Sequence, residues 1–328
     1  MGERRPARPT AAACLEIPPY CRGVTPSFVR TPDERFEGLR DWPFEPHYLD
    51  VDGLRVHYID EGPRTAKPFL LVHGEPSWSY LYRNWVQPLI DAGFRVVAPD
   101  HVGFGRSDKV TEDDWYVIDR HVEVQRSLIE SLDLRSIHLF CQDWGGPISL
   151  RNACDMPARY ARLFISHTWL HHDGYEYTDR LRWWRDASQD PAVLGGDMPT
   201  AVVVVESLQR QGHDKDALRA AYDAPYISYE SKAGARRFPW CLPFAEPEAG
   251  GAAWQERCYA ELPTLQIPTH FVWGDADAVF PFDDAERWAE VMPGATLDRV
   301  PGSGHFIQED ATQDCLAAVL ARATDDID

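Results

Sequence analysis

Residues 137–146 read IHLFCQDWGG, an apolar run that ends abruptly in a polar tripeptide and two glycines. The run is typical of a buried parallel strand, and residues 147–154 after it favour a helix. A strand, a sharp turn and a helix form the layout of a nucleophile elbow, in which a strained turn holds one reactive side chain above a sheet. This stretch therefore predicts an α/β fold with a candidate reactive residue at the turn.

The residue at the reactive position is Asp143. Its carboxylate is ionised at neutral pH and can attack a carbon atom directly, without a base. Gly145 closes the motif, whereas Cys141 stands where the usual pattern has a second glycine. The alternative interpretation is an ordinary strand–helix turn in which Asp143 caps the helix.

Length and charge limit the function. The chain has 328 residues, enough for a large domain with an insertion, and a formal charge of −19. We expect no nucleic acid and no membrane as a partner, because phosphate binding needs a basic surface and no apolar run approaches the ~20 residues that span a bilayer.

The seven cysteines are widely spread and show no Cys-x-x-Cys spacing. This pattern predicts reduced thiols and a cytoplasmic location, and it does not favour zinc. Residues 4–5 and 12–14 faintly resemble export signals, but Glu16 and Pro18 interrupt the apolar core that such signals need. We expect residues 1–28 to be a mostly unstructured extension.

Apolar runs alternate with helix-compatible segments in the first half of the chain. Asp52-Gly53 between two alternating segments predicts a hairpin of two antiparallel edge strands. The later alternation predicts βαβ units around a mostly parallel twisted sheet flanked by helices. Its predicted strands are residues 69–72, 94–98, 137–141 and 162–166, with helices at 78–90 and 117–131.

The alternation stops at residue 167 and resumes with strands at 270–273 and 296–300. The stretch between favours helices, for example over 198–211 and 214–222. We therefore predict a main domain of residues 29–166 and 264–328 with an inserted helical cap domain of residues 167–263. Such a cap would lie over the carboxyl ends of the strands, where open α/β sheets bind ligands.

Candidate catalytic groups follow three predicted strands: Asp143, Asp277 and His305. His305 lies in a glycine-rich loop and could act as a general base, with a carboxylate to fix its tautomer. We choose Asp277 over Asp275, because the acid should lie a few residues past the strand. Each group alone is also explained by turn capping or by a structural role, but all three in this order indicate a catalytic set.

A second loop, HGEP at residues 73–76, follows a strand and carries a glycine that permits close approach. The backbone N–H groups of Glu75 and Trp144 could together form an oxyanion hole. For the Glu75 side chain, two interpretations are open, a salt bridge or a role beside the site.

These motifs closely resemble the first subfamily of the haloalkane dehalogenases, in the α/β-hydrolase superfamily. The resemblance is dense over residues 29–165 and looser over 223–315. It rests chiefly on HGEPSWSYLYR at 73–83, GFGRSDK at 103–109, CQDWGG at 141–146 and GHFIQED at 304–310.

The resemblance implies an enzyme that hydrolyses carbon–halide bonds without cofactor or metal. Asp143 would displace halide to form an alkyl ester, and His305, oriented by Asp277, would activate the water that cleaves the ester. The implied partners are a small halogenated aliphatic substrate, a halide ion and water, and the implied assembly is a monomer or a small homo-oligomer.

Departing halide needs hydrogen-bond donors, and an indole N–H is a donor only. The resemblance assigns this role to Trp144 and to a tryptophan of the cap, best matched by Trp184. Trp183 and Trp169 are rivals for the second position. With Glu75, Trp144 and Trp184 form the predicted substrate-binding set.

The departures from the family cluster at the start of the cap. Residues 166–169 read SHTW, where related sequences usually carry Asn-Thr. His171, His172 and Asp173 follow and could be taken for metal ligands, but adjacent histidines rarely converge on one ion without more widely spaced partners.

Two other functions fit the same fold. An epoxide hydrolase would use the same aspartate with acidic tyrosines in the cap, where the candidates are Tyr175, Tyr177, Tyr222, Tyr226 and Tyr229. Against it, Gln142 stands where epoxide hydrolases tend to have histidine. The third possibility is a non-catalytic receptor, which would have no need for the complete catalytic set.

Overall fold

The computed structural model describes residues 25–324. Its main feature is an eight-stranded sheet in the order β10-β9-β8-β7-β4-β5-β3-β2. The chain forms ten strands in this range: β1 Phe28–Val29, β2 His47–Val51, β3 Leu54–Glu61, β4 Pro68–Val72, β5 Arg95–Pro99, β6 Lys109–Val110, β7 Ile137–Gln142, β8 Tyr160–Ser166, β9 Thr269–Gly274 and β10 Thr296–Val300. The six strands from β10 to β5 are parallel, and β3 and β2 extend the sheet antiparallel.

Helices and short turns connect the strands. The described α-helices are α1 Arg83–Asp91, α2 Ile118–Ser131, α3 Gly145–Asp155, α4 Asp179–Gln189, α5 Thr200–Glu206, α6 Lys215–Asp223, α7 Ala233–Arg237, α8 Pro247–Gly250, α9 Ala252–Glu261, α10 Phe282–Val291, α11 Ile307–Asp310 and α12 Thr312–Ala323. None of these helices is long and apolar enough to cross a bilayer.

The sheet confirms the predicted α/β architecture and corrects one strand position. The hairpin forms as predicted, but of its two strands only β2 lies at an edge of the sheet. β3 also pairs antiparallel with β5, through residues 58–61 and 96–99. The turn chemistry at residues 52–53 predicts a hairpin and carries no information about a third, distant partner.

The chain between β8 and β9 contributes helices and no strand to the described structure. The helix predicted over 198–211 is shorter in the structure, where α5 covers Thr200–Glu206. The backbone N–H groups of Gln209 and Arg210 donate instead to the Asp310 carboxylate, at 3.0 and 2.8 Å. A tertiary contact thus replaces the last helical turn. The domain boundaries at residues 166 and 264 stay a prediction.

Residues 1–24 of the predicted extension lie outside the described part of the chain. Phe28, the last residue of that extension, pairs with Val110 in a two-stranded sheet formed by β1 and β6. The extension as drawn from the sequence therefore runs too far toward the main domain.

Alternating residues of the central strands enter two apolar cores, one on each face of the sheet. Leu70 and Leu139 belong to one cluster, whereas Leu71 and Phe140 belong to the other. Both faces are covered, which explains why these strands are continuous apolar runs in the sequence. Five cysteines are free and buried in the described structure: Cys141, Cys154, Cys241, Cys258 and Cys315.

A buried polar group of Arg83, Glu309 and Tyr222 links α1 and α11 to the helices inserted between β8 and β9. Arg83, at the start of α1, contacts Glu309 of α11 through both guanidinium nitrogens, and the two side chains are 6% and 3% exposed. The Tyr222 hydroxyl of α6 donates to the same carboxylate at 2.8 Å. This group holds three distant parts of the chain together.

Candidate active site

Asp143 lies on a left-handed turn between β7 and α3, with a φ of 52°. Its backbone N–H donates to the His167 carbonyl at 2.9 Å, and its carbonyl accepts a hydrogen bond from the Thr168 hydroxyl at 2.6 Å. Gly145 is required for the close approach of the turn to β4, because a Cβ there would lie 2.4 Å from the Val72 carbonyl oxygen. The strained turn thus has support on both sides.

The Asp143 carboxylate is held by two backbone N–H groups. The N–H of Glu75 donates to Oδ1 at 2.8 Å, and the N–H of Trp144 also donates to this carboxylate. Gly74 packs directly against it, since a Cβ at that position would lie 2.2 Å from Oδ1. Burial raises the pKa of Asp143, and these amides together with His305 oppose that rise.

His305, in the loop after β10, is bound by Asp277 from the loop after β9. Its Nδ1 lies 2.9 Å from Asp277 Oδ2, and its Nε2 lies 3.7 Å from Asp143 Oδ2. Burial lowers the pKa of His305, but the two carboxylates outweigh it and the net pKa is raised. Burial raises the pKa of Asp277, and the neighbouring histidines reverse this to a strongly lowered value.

Asp275 has a different position. Its Oδ1 accepts the backbone N–H of Gly302 at 2.7 Å and so caps a turn. Of the two aspartates after β9, Asp277 is the one that contacts the histidine. The structure therefore brings together Asp143, Asp277 and His305.

Glu75 is buried beside Asp143, and no lysine, arginine or histidine in the described residues pairs with it. Its Oε2 accepts the indole N–H of Trp184 at 3.2 Å. Its Oε1 has no hydrogen-bond partner within residues 25–324. Burial, and next the Asp143 charge, raise the pKa of Glu75 well above its usual value. The raised pKa favours the neutral carboxylic acid form of Glu75, and the absence of a cationic partner among the described residues fits a position beside the site and not a salt bridge.

A pocket opens above these groups. Its lining includes Asp143, His305, Glu75, Trp144, Trp184 and Trp169. Trp183, the neighbour of Trp184, is 44% exposed and lies under the Arg180 guanidinium, 4.3 Å from its ring centroid. The structure thus brings Trp184 and Trp169 to the pocket and leaves Trp183 on the surface.

Two polar residues at the site were absent from the predicted set. The Gln142 amide nitrogen lies 2.9 Å from His305 Nε2. His167, directly after β8, places Nδ1 2.7 Å from Asp277 Oδ2. The sequence indicated only their position at the edge of the sheet, because both are polar residues at the carboxyl end of a predicted parallel strand. It did not indicate which side chains they contact.

His171 and His172, which could be taken for metal ligands, do not converge. His171 Nδ1 contacts the Tyr177 hydroxyl at 2.9 Å, whereas the His172 ring stacks on Tyr259. A tighter group consists of His167, Asp277 and His305, with ligand atoms within 4.8 Å of one another. There the two imidazoles share one carboxylate oxygen as hydrogen-bond acceptor, so their Nδ1 atoms are engaged with protons.

Comparison with known proteins places this site in a family. The α/β hydrolase fold family matches residues 67–312. A haloalkane dehalogenase from Psychrobacter cryohalolentis is 40% identical over 292 residues, covering 86% of this chain and 93% of the relative. The chain belongs to the haloalkane dehalogenase family. This result confirms the resemblance drawn from the four motifs.

Two further comparisons show how far the similarity extends. A solved tetrameric haloalkane dehalogenase from Paraglaciecola agarilytica has a TM-score of 0.82 and 34% identity, covering 90% of this chain and 98% of that one. A cis-3-alkyl-4-alkyloxetan-2-one decarboxylase from Shewanella oneidensis is 31% identical over 283 residues, covering 84% of this chain and 87% of the relative. This chain is thus also similar to a protein named for a different reaction.

Proposed function

We propose that this member of the haloalkane dehalogenase family hydrolyses haloalkanes to an alcohol, a halide ion and a proton. The observation that carries the proposal is the position of the Asp143 carboxylate, which is held by two backbone amides and faces the His305–Asp277 pair. Its pocket has an apolar and aromatic lining suited to an alkyl chain. Sequence identity of 40% to a named haloalkane dehalogenase supports the same reaction.

In the first step, a carboxylate oxygen of Asp143 attacks the carbon that bears the halogen. The new C–O bond forms as the C–X bond breaks, so the halide leaves with the bonding electrons and Asp143 becomes a neutral alkyl ester. This step needs no proton transfer. His305 therefore has no part in it beyond its charge.

In the second step, His305 Nε2 takes a proton from water as the water oxygen attacks the ester carbonyl carbon of Asp143. Negative charge develops on the carbonyl oxygen, toward which the N–H groups of Glu75 and Trp144 are directed. Collapse of this intermediate breaks the bond between the carbonyl carbon and the alkoxy oxygen. The leaving alkoxide takes the proton from the His305 imidazolium and departs as the alcohol. The carboxylic acid left on Asp143 then gives its proton to solvent, which regenerates the carboxylate and accounts for the one proton released per turnover.

The departing halide would be bound by the indole N–H groups of Trp144 and Trp184, both of which line the pocket. In the structure the Trp184 N–H donates to Glu75 Oε2 at 3.2 Å, so halide binding requires this N–H to turn from Glu75 toward the halide or to be shared between them. The raised pKa of Glu75 favours its neutral form, which would not repel the halide. We assign Trp184, rather than its neighbour Trp183, as the second donor.

The epoxide hydrolase alternative needs a tyrosine that protonates the substrate oxygen. Among residues 25–324, no tyrosine lines the pocket. The Tyr177 hydroxyl contacts His171, that of Tyr222 binds Glu309, and Tyr229 is 50% exposed. The receptor alternative would leave the His305–Asp277 pair without a purpose. Both observations favour dehalogenation.

The test measures halide release from 1-bromobutane, 1,2-dibromoethane and 1-iodobutane by the wild-type protein and by Asp143→Asn. We expect release by the wild type and none by the variant. With His305→Gln, we expect one halide per enzyme and a protein heavier by one butyl group in mass spectrometry. Absence of halide release from a folded wild type, with styrene oxide opened to its diol, would contradict the proposal.

A further inference from the structure

His167 contacts both ends of the catalytic arrangement. Its backbone carbonyl accepts the N–H of Asp143 at 2.9 Å, and its imidazole Nδ1 lies 2.7 Å from Asp277 Oδ2. His305 Nδ1 approaches the same Oδ2 atom at 2.9 Å. One carboxylate oxygen thus serves two histidines, and one of these is also bound to the backbone of the nucleophile.

The hydrogen bonds of His167 fix its tautomer. Its Nε2 lies 2.9 Å from the backbone nitrogen of Gly274 and must accept that N–H. The ring proton is therefore on Nδ1, which donates to Asp277. Both ring nitrogens of His167 therefore have a hydrogen-bond partner. The side chain is also fully buried and lies close to the Trp273 ring, which holds the imidazole in place. Burial also lowers the pKa of His167, in keeping with a neutral ring.

We propose that His167 is a positioning residue that shares Asp277 with His305, fixing the carboxylate and limiting how strongly it supports a positive charge on His305. The inference rests on the proposed function, because only a hydrolysis step requires His305 as a base. It concerns a side chain at which the sequence departs from the Asn-Thr pattern usual in related sequences.

The physical basis is competition for one acceptor. Asp277 Oδ1 is already occupied by the backbone N–H of Val279 at 2.7 Å, so both imidazoles must use Oδ2. A second donor withdraws negative charge from that oxygen and weakens its bond to an imidazolium. His305 then remains a neutral base at lower pH than it would beside an unshared carboxylate.

The charged groups around this pair are few in the described structure. His305 faces Asp277 from the β9 loop and Asp143 from the elbow, and its Nε2 also meets the uncharged amide of Gln142. His167 faces Asp277 and His305, and it feels the more distant charge of Asp310 in α11. Because His167 is neutral, its substitution by another neutral residue adds or removes no charged group near His305.

The experiment compares the titration of the His305 imidazole by NMR in wild type, His167→Phe and His167→Asn, with His305→Gln to assign the signal. His167→Phe keeps a ring and removes the donor, and we expect the pKa of His305 to rise by about one pH unit. The backbone of His167 is in the left-handed region, with a φ of 41°. His167→Asn keeps an N–H donor in a residue that tolerates this conformation, and we expect a smaller shift.

Kinetics provide a second measurement. The rate of hydrolysis of the alkyl-enzyme is followed as a function of pH after a single turnover with 1-bromobutane. In His167→Phe, we expect the fall of this rate at acidic pH to begin about one pH unit higher than in wild type, as for the pKa of His305. The pH dependence of alkylation should not change. A lower rate with an unchanged pKa of His305 in both variants would mean a purely structural role and would overturn the inference.

If His167→Phe fails to fold, the wild type still tests the shared carboxylate. Besides the resonance of His57, whose Nδ1 lies 2.7 Å from Asp100 Oδ2, two downfield imidazole N–H resonances are expected from the histidines that bind Asp277. Detection of only one, assigned to His305, would overturn the inference. The NMR results do not depend on turnover. Failure of the proposed function would instead show as a wild type that releases no halide, whatever its histidine titration.

Discussion

At the scale of single residues, the site works through the charge on Asp143. The carboxylate lies 3.7 Å from His305 Nε2 and helps to raise the pKa of that imidazole. The ester that forms on Asp143 is neutral, so this support disappears when the reaction reaches the step that needs a base. His305 therefore stays neutral, and able to accept a proton, at lower pH in the alkyl-enzyme than in the free enzyme.

The first prediction concerns this charge. We expect Asp143→Asn, which imitates the neutral ester, to lower the pKa of His305, because loss of a nearby negative charge destabilises the imidazolium. NMR titration of the His305 ring measures it. Asp216→Asn, a surface position in α6 whose side chain is 96% exposed, makes the same change in net charge and should leave His305 unaffected. An equal shift in both variants would contradict a local effect.

The second prediction concerns Glu75. Since burial raises the pKa of Glu75 and favours its neutral form, we expect Glu75→Gln to retain kcat/KM near neutral pH, whereas Glu75→Ala, which no longer orients Trp184, should lose about tenfold. At alkaline pH, ionisation of Glu75 places a charge beside Asp143. We therefore expect a loss of wild-type activity there that Glu75→Gln does not show. Halide release as a function of pH measures both effects, and equal kcat/KM values for the Gln and Ala variants would refute the assignment.

At the scale of elements, the carboxyl ends of five parallel strands supply the site. The loops after β4, β7, β8, β9 and β10 carry Glu75, Asp143, His167, Asp277 and His305 in that order. The strands fix their spacing, because each loop starts from a hydrogen-bonded neighbour in the sheet. The loops can then be short and the side chains precise.

The third prediction concerns the loop after β4. Gly74→Ala introduces a Cβ into the space occupied by Asp143 Oδ1 and must displace the carboxylate. We expect the rate of alkylation to fall about a hundredfold, since a shift near 1 Å has that effect on a reacting group. Single-turnover halide release measures the rate, and thermal denaturation checks that the fold is retained. An alkylation rate close to wild type would show that the loop yields instead.

Local sequence predicted the elements well where one strand or turn decides the outcome. The elbow at Asp143 and the hairpin at residues 52–53 follow from their own residues. The end of α5 does not, because the Asp310 carboxylate about a hundred residues away captures the backbone of Gln209 and Arg210. Likewise, nothing near His167 in the sequence indicates that its ring meets Asp277, which requires knowledge that β8 and β9 are neighbours.

At the scale of the whole molecule, strand order is the information that the sequence lacked. The pattern of apolar runs predicted a parallel sheet and the set Asp143, Asp277 and His305, but not the place of β3 between β2 and β5. The side-chain contacts of the helices between β8 and β9 could not be predicted from the sequence pattern either. The family resemblance preferred Trp184 among the twelve tryptophans of the chain, and the packing of α4 is what places Trp184 at the pocket and leaves Trp183 exposed.

The fourth prediction concerns the ion pair between Arg83 and Glu309. Glu309→Gln leaves a buried guanidinium without its counter-charge, and we expect it to lower the free energy of unfolding by about 3–5 kcal/mol. Tyr222→Phe, which removes one hydrogen bond to the same carboxylate, should lower it by about 1.5–3 kcal/mol. Urea denaturation measures both. Replacing Arg83 and Glu309 together by leucine should be less harmful than Glu309→Gln, and an equal or larger loss would contradict this account.

The rates at which the buried cysteines can be labelled report local opening of the folded protein. A thiol that is inaccessible reacts with a labelling reagent only when its surroundings separate, so each labelling rate reports a local opening event. Cys141 lies in a central strand, whereas Cys258 lies in α9 between β8 and β9. In a protein whose Cys14 and Cys21 are replaced by serine, earlier labelling of Cys258 would show that the helical insertion opens while the sheet stays closed. Substrate exchange could then follow the faster of the two rates.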